Sequence, residues 1–336
     1  MLKNIRKILI IKLRDLGDIV LSTPVIRVLY ENCNSPEIIY VLKEEYENFK
    51  YLLPHIKDVI TYNKKDPFDF LRVIGKLRKY QFDLAVNLHA TFRSALITLF
   101  SGAKIRLVHN HSGRNYFSSM PLNIKEEQKW NTLRDLDTLK PLNISYSPDL
   151  IKTKLVFNCD LSEYIQDSFY ERAIGFGIGA KRIQKKWRIE KFIELGKKLV
   201  ANGEKIIVFC LPEEKEAGEK IVNELGINAR LLIGDILKVS YVIKHLKLFI
   251  GNDSGLRHIA AGFGVKTITL FGPENPIEWH PYLEKDGHIA ISHLFDLARD
   301  GIDIYDRKFR EESMEPIERI TVDEVFEAYL KLMDYK

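Results

Sequence analysis

Long hydrophobic runs and paired cysteines are both missing from the sequence. No apolar run approaches the roughly 20 residues that a membrane-spanning helix needs. The apolar run within MLKNIRKILIIKL is about seven residues long and lacks a small-residue cleavage site, so we expect a buried strand and not a signal peptide. The three cysteines, Cys33, Cys159 and Cys210, are far apart and match no metal or redox spacing. These absences predict a cytoplasmic protein.

Signatures of several common binding proteins are also absent. The loop after the first apolar run has no Gly-x-Gly-x-x-Gly fingerprint, which weighs against a dehydrogenase. The net charge is only +5, the basic residues are spread along the chain, and no nucleic-acid motif occurs, so no nucleic-acid partner is expected. What remains is an ordinary globular composition over 336 residues, which corresponds to about two domains.

Short apolar segments alternate with helical ones along the chain. The apolar segments are mostly continuous, as expected for parallel strands that are buried on both faces. Strands are predicted at Lys7–Leu13, Ile38–Leu42, Asp58–Tyr62, Asp83–Leu88, Lys104–Val108, Ala173–Ile178, Lys205–Leu211, Arg230–Ile233, Leu248–Gly251, Thr267–Phe271 and His288–Ser292. Helices are predicted at Phe68–Tyr80, Thr91–Ser101, Ile189–Asn202, Glu213–Leu225 and Lys238–His245. This alternation indicates a doubly wound parallel sheet, formed twice.

We therefore predict an α/β protein with two Rossmann-like domains that face each other across a cleft. The first domain covers residues 1–163 and the second covers residues 164–318. Residues 319–336 are predicted to form a C-terminal helix that packs back on the first domain. Ligands of such sheets bind outside the carboxyl ends of the strands, so the loops that follow the strands are the candidate binding loops.

One candidate loop lies in FIGNDSGLRHIAAGFG, which predicts a strand, a tight loop and a helix. Free backbone N–H groups and the helix dipole favour an anion at such a helix start. Alternatively, Asp253 and Ser254 only cap the helix, a role for which both residue types are preferred. His258 lies one helical turn after Ser254 and can face the same ligand, although idle surface histidines are also common.

A second candidate lies in KILIIKLRDLGDIVLSTPVIRVL, where Asp18 follows the first predicted strand. At that position Asp18 can cap a helix, or it can accept a proton from an attacking hydroxyl group as a general base. Position alone does not decide between these roles. Pro24 either kinks a helix that begins near Asp18 or begins a separate helix.

Basic and acidic residues follow the first two predicted strands of the second half. Lys181, Arg182, Lys185 and Lys186 lie in one loop, where they can neutralise a diphosphate or simply form a solvated basic loop. Glu214 begins the next predicted helix, where acidic residues are favoured in any case. Its alternative role is to bind a ribose or sugar hydroxyl group.

Together, these segments resemble the family-nine glycosyltransferases, the ADP-heptose:lipopolysaccharide heptosyltransferases. The resemblance covers nearly the whole chain and depends on KILIIKLRDLGDIVLSTPVIRVL, FDLAVNLHATFRSAL, GIGAKRIQKKWRIEKFIEL, LPEEKEAGEKI, NDSGLRHIAAGFGVKTITLFGPENP and ITVDEVFEAYLKL. The Asp-Ser-Gly-Leu-x-His segment followed by Leu-Phe-Gly-Pro is specific in combination. The resemblance implies the GT-B fold of glycosyltransferases, with the acceptor in the first domain and the nucleotide-sugar donor in the second.

The resemblance also implies roles for individual residues. Asp18 matches the catalytic base of the family. The residues implied to bind the donor are Lys185 at a phosphate, Glu214 at the ribose, and the block Asp253, Ser254, Gly255, Leu256 and His258. The weaker candidates for the acceptor site are Gly17, Arg93 and Arg114. The chain departs from the family at Ala180-Lys181, where a threonine or serine is often found, so Lys181 can supply charge in place of a hydroxyl group.

The implied function is an inverting transfer of heptose from ADP-heptose to an inner-core acceptor of lipopolysaccharide, either Kdo on lipid A or a core heptose. No metal cofactor is expected, because no Asp-x-Asp cluster lies at the predicted donor loops and Lys185 with the helix end can offset the diphosphate. The segment DGIDIYD, with Asp303 and Asp306, is interpreted as a solvated linker after the last strand.

Two alternatives remain open. One is another enzyme of the same fold, either a glycosyltransferase that uses another nucleotide sugar and another glycan acceptor or a sugar-nucleotide epimerase. The other is a non-catalytic nucleotide-sugar-binding protein. A lipid-bearing acceptor would bring the chain into peripheral contact with the cytoplasmic face of the inner membrane, where Arg93, Lys104, Arg106 and Arg114 can assist or remain ordinary solvated surface.

Overall fold

The computed structural model describes residues 2–89, 91–109, 115–120, 127–160 and 168–334. The chain divides into two compact units, Met1–Cys159 and Asp160–Lys336. The predicted boundary between residues 163 and 164 lies outside the described residues. Each unit is built around a parallel β-sheet, which confirms the predicted α/β class.

The first unit has a five-stranded sheet. Its strands are β1 (Lys7–Ile11), β2 (Glu37–Lys43), β3 (Ile56–Tyr62), β4 (Leu84–Asn87) and β5 (Ile105–Val108), in the order β3-β2-β1-β4-β5 with every pairing parallel. Its α-helices are α1 (Leu16–Leu21), α2 (Thr23–Asn32), α3 (Asp69–Arg78), α4 (Phe92–Phe100) and α5 (Asn131–Asp137).

The second unit has a six-stranded sheet. Its strands are β6 (Ile174–Gly177), β7 (Ile206–Phe209), β8 (Ala229–Leu232), β9 (Leu248–Asn252), β10 (Lys266–Leu270) and β11 (His288–Ile291), in the parallel order β11-β10-β9-β6-β7-β8. Its α-helices are α6 (Ile189–Ala201), α7 (Lys215–Leu225), α8 (Ile236–Lys244), α9 (Gly255–Gly262), α10 (Pro276–Trp279), α11 (Leu294–Arg299), α12 (Arg307–Glu312), α13 (Glu315–Glu318) and α14 (Val322–Asp334).

Burial explains why the strands have continuous apolar sequences. All four residues of Ile8–Ile11 are completely buried, because helices cover both faces of the sheet. In each unit the strand order reverses between two neighbouring central strands, β1 with β4 and β6 with β9. Doubly wound sheets bind ligands at this switch point, outside the carboxyl ends of the strands. None of the helices within the described ranges has both the length and the hydrophobicity to cross a lipid bilayer.

The structure resolves how the chain accommodates Pro24. α1 ends at Leu21 and a separate helix, α2, begins at Thr23. Pro24 therefore occupies the first turn of α2, where a backbone N–H has no intrahelical partner and its loss costs little. The break keeps α1 short, so that this helix carries Asp18 immediately after the loop that follows β1.

The C-terminal helix packs within the second unit, where α14 lies on α6 and beside β10 and β11. The packing of residues 319–336 back on the first domain stays a prediction. Val325, Tyr329 and Leu332 belong to the same buried cluster as Phe192 of α6. The indole Nε1 of Trp187 also donates a hydrogen bond to the Ile320 carbonyl, 3.0 Å away. An amphipathic pattern shows that a helix needs an apolar partner, but it does not show which partner.

Truncating an apolar side chain of α14 should therefore destabilise the second unit. Leu332 is 1% exposed, so Leu332→Ala should lower the free energy of unfolding by about 2–5 kcal/mol. Leu330 on the same helix is 40% exposed, and Leu330→Ala should cost about 0.5 kcal/mol or less. Urea unfolding followed by circular dichroism measures both. Equal losses in the two variants would contradict this placement of the helix.

Candidate active site

The carboxyl ends of β6 and β9 hold a cluster of charged side chains. Lys185, in the loop after β6, lies with its Nζ 2.5 Å from Oδ2 of Asp253, which follows β9. The other carboxylate oxygen of Asp253 accepts hydrogen bonds from Nη2 of Arg257 at 2.5 Å and from Nε at 3.1 Å. Arg257 is completely buried and Asp253 nearly so. The structure thus brings the two predicted donor residues, Lys185 and Asp253, into direct contact.

The ionisation of Asp253 follows from its neighbours. Burial alone would raise the pKa of this carboxyl group, but Lys185 and Arg257 outweigh burial and hold the pKa well below its usual range. Asp253 is therefore a carboxylate that fixes two cations. Ser254 stands at the N-cap of α9 without a capping hydrogen bond from its side chain. The capping interpretation thus does not account for either side chain.

The amino end of α9 lies beside this cluster. Ser254, Gly255 and Leu256 are partly exposed, whereas the following residues of the helix are buried. The first backbone N–H groups of a helix have no intrahelical acceptor, and the helix dipole adds partial positive charge. The exposed first turn and Lys185 therefore form a place where an anion would be stabilised from two sides.

Two close contacts hold the Lys185 loop in position. The buried Asn252 side chain accepts a hydrogen bond from the Trp187 amide at 3.0 Å and donates one to the Ile178 carbonyl at 2.6 Å. Gly272, after β10, lies so close to the loop that a Cβ atom there would be 2.3 Å from the Gln184 carbonyl oxygen. The loop is therefore fastened to the ends of β9 and β10, and a larger residue at position 272 would displace it.

Glu214 lies at the end of β7, on the other side of β6. Its Oε1 is 2.5 Å from Nζ of Lys186, and its Oε2 accepts a hydrogen bond from the Leu211 amide at 3.1 Å. The carboxylate fits because Gly179 has no side chain, since a Cβ atom there would lie 2.5 Å from Oε2. Glu214 therefore both organises the start of its helix and reaches the loop after β6.

His258 lies inside the second unit. Its Nδ1 is 2.7 Å from the Tyr282 hydroxyl group, and the residue is 3% exposed. Burial, followed by the nearby charge of Arg257, lowers the pKa of His258 well below its usual value. The imidazole is consequently neutral at neutral pH, so it can offer a neutral N–H group to a ligand but not a positive charge.

Asp18 lies in the first turn of α1, next to Gly17. Its side chain is 15% exposed, and Nη1 of Arg14 is 3.9 Å from its Oδ1. That distance is at the limit of an ion pair, so Arg14 leaves the carboxylate oxygens able to accept a hydrogen bond from a ligand. α1 has Asp15 at its N-cap, so Asp18 does not occupy the capping position that one interpretation gave it.

A buried ion pair that the sequence did not reveal lies close enough to Asp18 to feel its charge. Lys12, directly after β1, donates from Nζ to both oxygens of Asp135 on α5, at 2.8 Å each, and both residues are buried. Burial raises the pKa of Asp135 to about 6, Lys12 opposes that rise, and the charge of Asp18 adds to it. The signal in the sequence is a lysine placed immediately after the apolar run Ile8–Ile11.

His89 was also missed. It follows β4, and its Nδ1 is buried with no hydrogen-bond partner among the described residues. Burial and then the charges of Arg14, Lys12 and Lys43 lower the pKa of His89 to about 4. The carboxyl ends of β1 and β4 thus combine a neutral imidazole with several cations, an environment suited to a polar ligand that carries negative charge.

Arg93 is exposed on α4 and lines a cavity of about 320 Å³ in the first unit. The cavity is lined by Tyr62, Lys64, Asp66, Pro67, Phe70, Phe92, Arg93 and Leu96. Arg114 lies outside the described residues. In the described part of the chain, no group of three or more His, Cys, Asp or Glu side chains could hold a metal ion. The expectation that no metal cofactor is used therefore stays a prediction.

A family model for glycosyltransferase family 9, the heptosyltransferases, matches residues 70–298. The chain belongs to this family. It is therefore an enzyme that transfers a sugar, as the resemblance implied. The matched range contains Lys185, Glu214 and the Asp253–His258 block, whereas Asp18 precedes it.

Family 9 relatives match this chain over most of their length. Lipopolysaccharide heptosyltransferase 3 of Escherichia coli K12 is 26% identical over 293 residues, which cover 80% of this chain and 83% of that protein. A family 9 glycosyltransferase structure from Veillonella parvula has a TM-score of 0.80 at 20% identity and covers 100% and 99% of the two chains. The E. coli heptosyltransferase WaaC with ADP has a TM-score of 0.74 at 15% identity, with 98% of both chains covered. The fold of this glycosyltransferase is therefore that of the family.

Breaking the Lys12–Asp135 pair should destabilise the first unit of the glycosyltransferase. Asp135→Ala leaves a buried lysine without its partner and should lower the free energy of unfolding by about 3–5 kcal/mol. Asp149→Ala is the matched control, because Asp149 is 73% exposed and its partner Arg27 also donates to two backbone carbonyls. The control should lose about 1 kcal/mol or less in urea unfolding. Equal losses in the two variants would show that the buried pair stabilises the protein no more than the exposed one does.

Proposed function

We propose that this glycosyltransferase moves a heptose from ADP-heptose to an inner-core sugar of lipopolysaccharide, either Kdo on lipid A or a core heptose, with inversion at the anomeric carbon. The observation that carries the proposal is the contact of Lys185 with Asp253 beside the exposed first turn of α9. Names of relatives support the substrates, because one similar protein is a lipopolysaccharide heptosyltransferase and one similar structure contains ADP.

The donor is proposed to bind the second unit. The diphosphate would lie against Lys185 and the backbone N–H groups of Ser254, Gly255 and Leu256, where positive charge and free donors coincide. Glu214, fixed by Lys186 and the Leu211 amide, would accept hydrogen bonds from the ribose hydroxyl groups. His258 would contribute from the interior as a neutral group, since its pKa is lowered by burial.

The transfer itself is proposed to be a single displacement. An acceptor hydroxyl oxygen forms a bond to the anomeric carbon while the bond from that carbon to the diphosphate oxygen breaks. The hydroxyl proton passes to the carboxylate of Asp18, and the electron pair leaves with the nucleoside diphosphate. Charge grows on the leaving phosphate, so fixed cations and N–H groups near it lower the barrier.

The acceptor is proposed to bind the first unit, near Gly17 and Arg93. The cationic groups Lys64 and Arg93 line the same cavity together with aromatic side chains, a combination suited to an anionic sugar. Arg114 is retained as a proposed acceptor residue. Phe68, Leu71 and Phe92 are more than half exposed near that cavity, and such side chains beside basic residues favour peripheral contact with an anionic membrane surface. We place this contact at the cytoplasmic face of the inner membrane.

Asp18→Asn should lower the turnover number by about two to four orders of magnitude while leaving ADP affinity unchanged, because a general base is lost and the donor site is intact. Turnover is measured by sugar transfer to a lipopolysaccharide-precursor acceptor, and affinity by calorimetry. Asp15→Asn, at the N-cap of the same helix, is the matched control, since Asp15 is 45% exposed and pairs with Lys43. Near-normal turnover in Asp18→Asn would remove Asp18 from the chemistry.

Nucleotide-induced thermal stabilisation tests the donor. At a hundredfold excess over its dissociation constant a ligand stabilises the folded protein by about 2.7 kcal/mol, and we expect this shift with ADP and ADP-heptose but not with UDP, GDP, CDP or TDP. Lys185→Ala should reduce the shift strongly. Lys197→Ala, at an exposed lysine paired with Glu224, should not.

A shift with another nucleotide alone would keep the glycosyltransferase and discard heptose as its sugar. The absence of any shift in the native protein would contradict the donor site.

A further inference from the structure

Glu274 follows β10 and is the second carboxylate near Lys185. Its Oε1 accepts a hydrogen bond from Nη2 of Arg182, and its Oε2 is 3.0 Å from Nη2 of Arg310. The Nζ of Lys185 lies 4.0 Å from the same carboxylate. Glu274 is only 12% exposed in its side chain, so three cations from two segments, the loop after β6 and α12, converge on one largely covered anion.

Arg310 belongs to α12, which begins directly after DGIDIYD, the segment that the sequence suggested to be a solvated linker. Asp306, the last residue of that segment, accepts a hydrogen bond from the Phe309 amide at 2.8 Å and caps α12. Two further contacts fasten α12 to the Lys185 loop. Arg182 donates to the Arg310 carbonyl at 3.4 Å, and Gln184 donates to the Glu311 carbonyl. α12 is thus attached to the proposed phosphate-binding loop itself.

The charges of this cluster do not balance. Four cationic side chains face two carboxylates, which leaves two positive charges on the cluster. The cations are Arg182, Lys185, Arg257 and Arg310, and the carboxylates are Asp253 and Glu274. Asp253 is buried between its partners, whereas Arg182 and Arg310 are 36% and 44% exposed in their side chains. The excess charge therefore lies on the more accessible side of the cluster and suits a doubly charged anion.

We propose that Glu274 holds Arg182 and Arg310 in the free enzyme and gives them up to the diphosphate of the donor when it binds. A diphosphate offers arginine more oxygen acceptors and more charge than one carboxylate does, so the exchange is favourable for both guanidinium groups. Arg310 is then a donor-binding residue, and α12 is a donor-binding element. This inference rests on the proposed function, because it assumes a nucleoside-diphosphate sugar at Lys185.

The exchange has a consequence that a structural brace would not have. Glu274 competes with the diphosphate for the same cations, so removing its charge should strengthen nucleotide binding. If Glu274 and Arg310 served only to attach α12 to the loop, neutralising either one would loosen the loop and weaken binding. The two variants should therefore change affinity in opposite directions under the exchange and in the same direction under a bracing role.

The test is calorimetric titration of the full-length enzyme with ADP. Arg310→Gln should weaken ADP binding by about tenfold, the cost of losing a hydrogen bond to a charged group, and should reduce the dependence of affinity on salt. Glu274→Gln should strengthen binding by about threefold or more, because one like charge near the anion is removed. Arg307→Gln is the matched control on α12, since Arg307 is 87% exposed and pairs with Glu311.

Unliganded melting temperatures check that each variant is folded, and Arg310→Lys, which keeps the charge, should restore part of the affinity. The exchange is overturned if Arg310→Gln binds ADP as the native enzyme does, or if Glu274→Gln binds it more weakly. These outcomes leave the proposed function intact as long as the native enzyme binds ADP. A native enzyme that binds no nucleoside diphosphate would overturn both.

Discussion

The arrangement of the second unit depends on one buried carboxylate. Asp253 lies at the switch point of the sheet and is nearly buried, which by itself would favour its neutral form. It stays ionised because Lys185 and Arg257 each place a cation 2.5 Å away. Since its pKa is depressed on folding, this interaction stabilises the fold above about pH 4 and the stabilisation is lost as the pH falls. Without that carboxylate, Arg257 would be buried without a counter-ion and Lys185 would lose the contact that aims it. The carboxylate that neutralises buried Arg257 therefore also positions Lys185 at the proposed phosphate site.

The first unit also has a buried carboxylate paired with a cation, but with one cation and not two. Lys12 and Asp135 neutralise each other in the interior, but the pKa of Asp135 is raised to about 6, because burial outweighs the single cation. Asp253 has two cationic partners, which leaves one positive charge in excess, whereas the Lys12–Asp135 pair has no net charge. The charge that a ligand would meet there comes from the rim, from Arg14 and Lys43, whose influence on the pKa of His89 is visible. A diphosphate bound as proposed would thus meet charge fixed in the interior, whereas an acceptor bound as proposed would meet charge on more exposed side chains. This difference agrees with a reaction in which the leaving group needs the stronger preorganisation.

Much of the fold was predictable, because parallel strands buried on both faces have an unambiguous sequence signature. Every predicted strand coincides with an observed one to within a few residues, and the loops that carry Asp18, Lys185 and Asp253 follow strands as expected. The packing of α14 on α6 was not predictable, since an amphipathic pattern specifies an apolar face but not the partner of that face. Lys12 and Asp135 are 123 positions apart, and Arg182 and Arg310 are separated by 128, so no local pattern joins them. Propensity and periodicity describe neighbours along the chain, whereas charge pairing depends on which loops the sheet brings to one edge.

The close approach of the loops explains how several charged side chains form short ion pairs at this site. Gly272 lets the end of β10 touch the Lys185 loop, and Gly179 leaves room for the Glu214 carboxylate. A side chain at position 272 would force the loops apart and lengthen the distances between unlike charges, which weakens the attraction that keeps them ionised. A side chain at position 179 would displace the Glu214 carboxylate. In this unit the ion-pair distances therefore depend on how closely the backbone segments pack. The glycines set how closely the loops approach, that approach sets the ion-pair distances, and those distances determine which groups remain charged when no ligand is bound. In the proposed exchange, a ligand anion would replace a carboxylate that these contacts already hold beside the Lys185 loop.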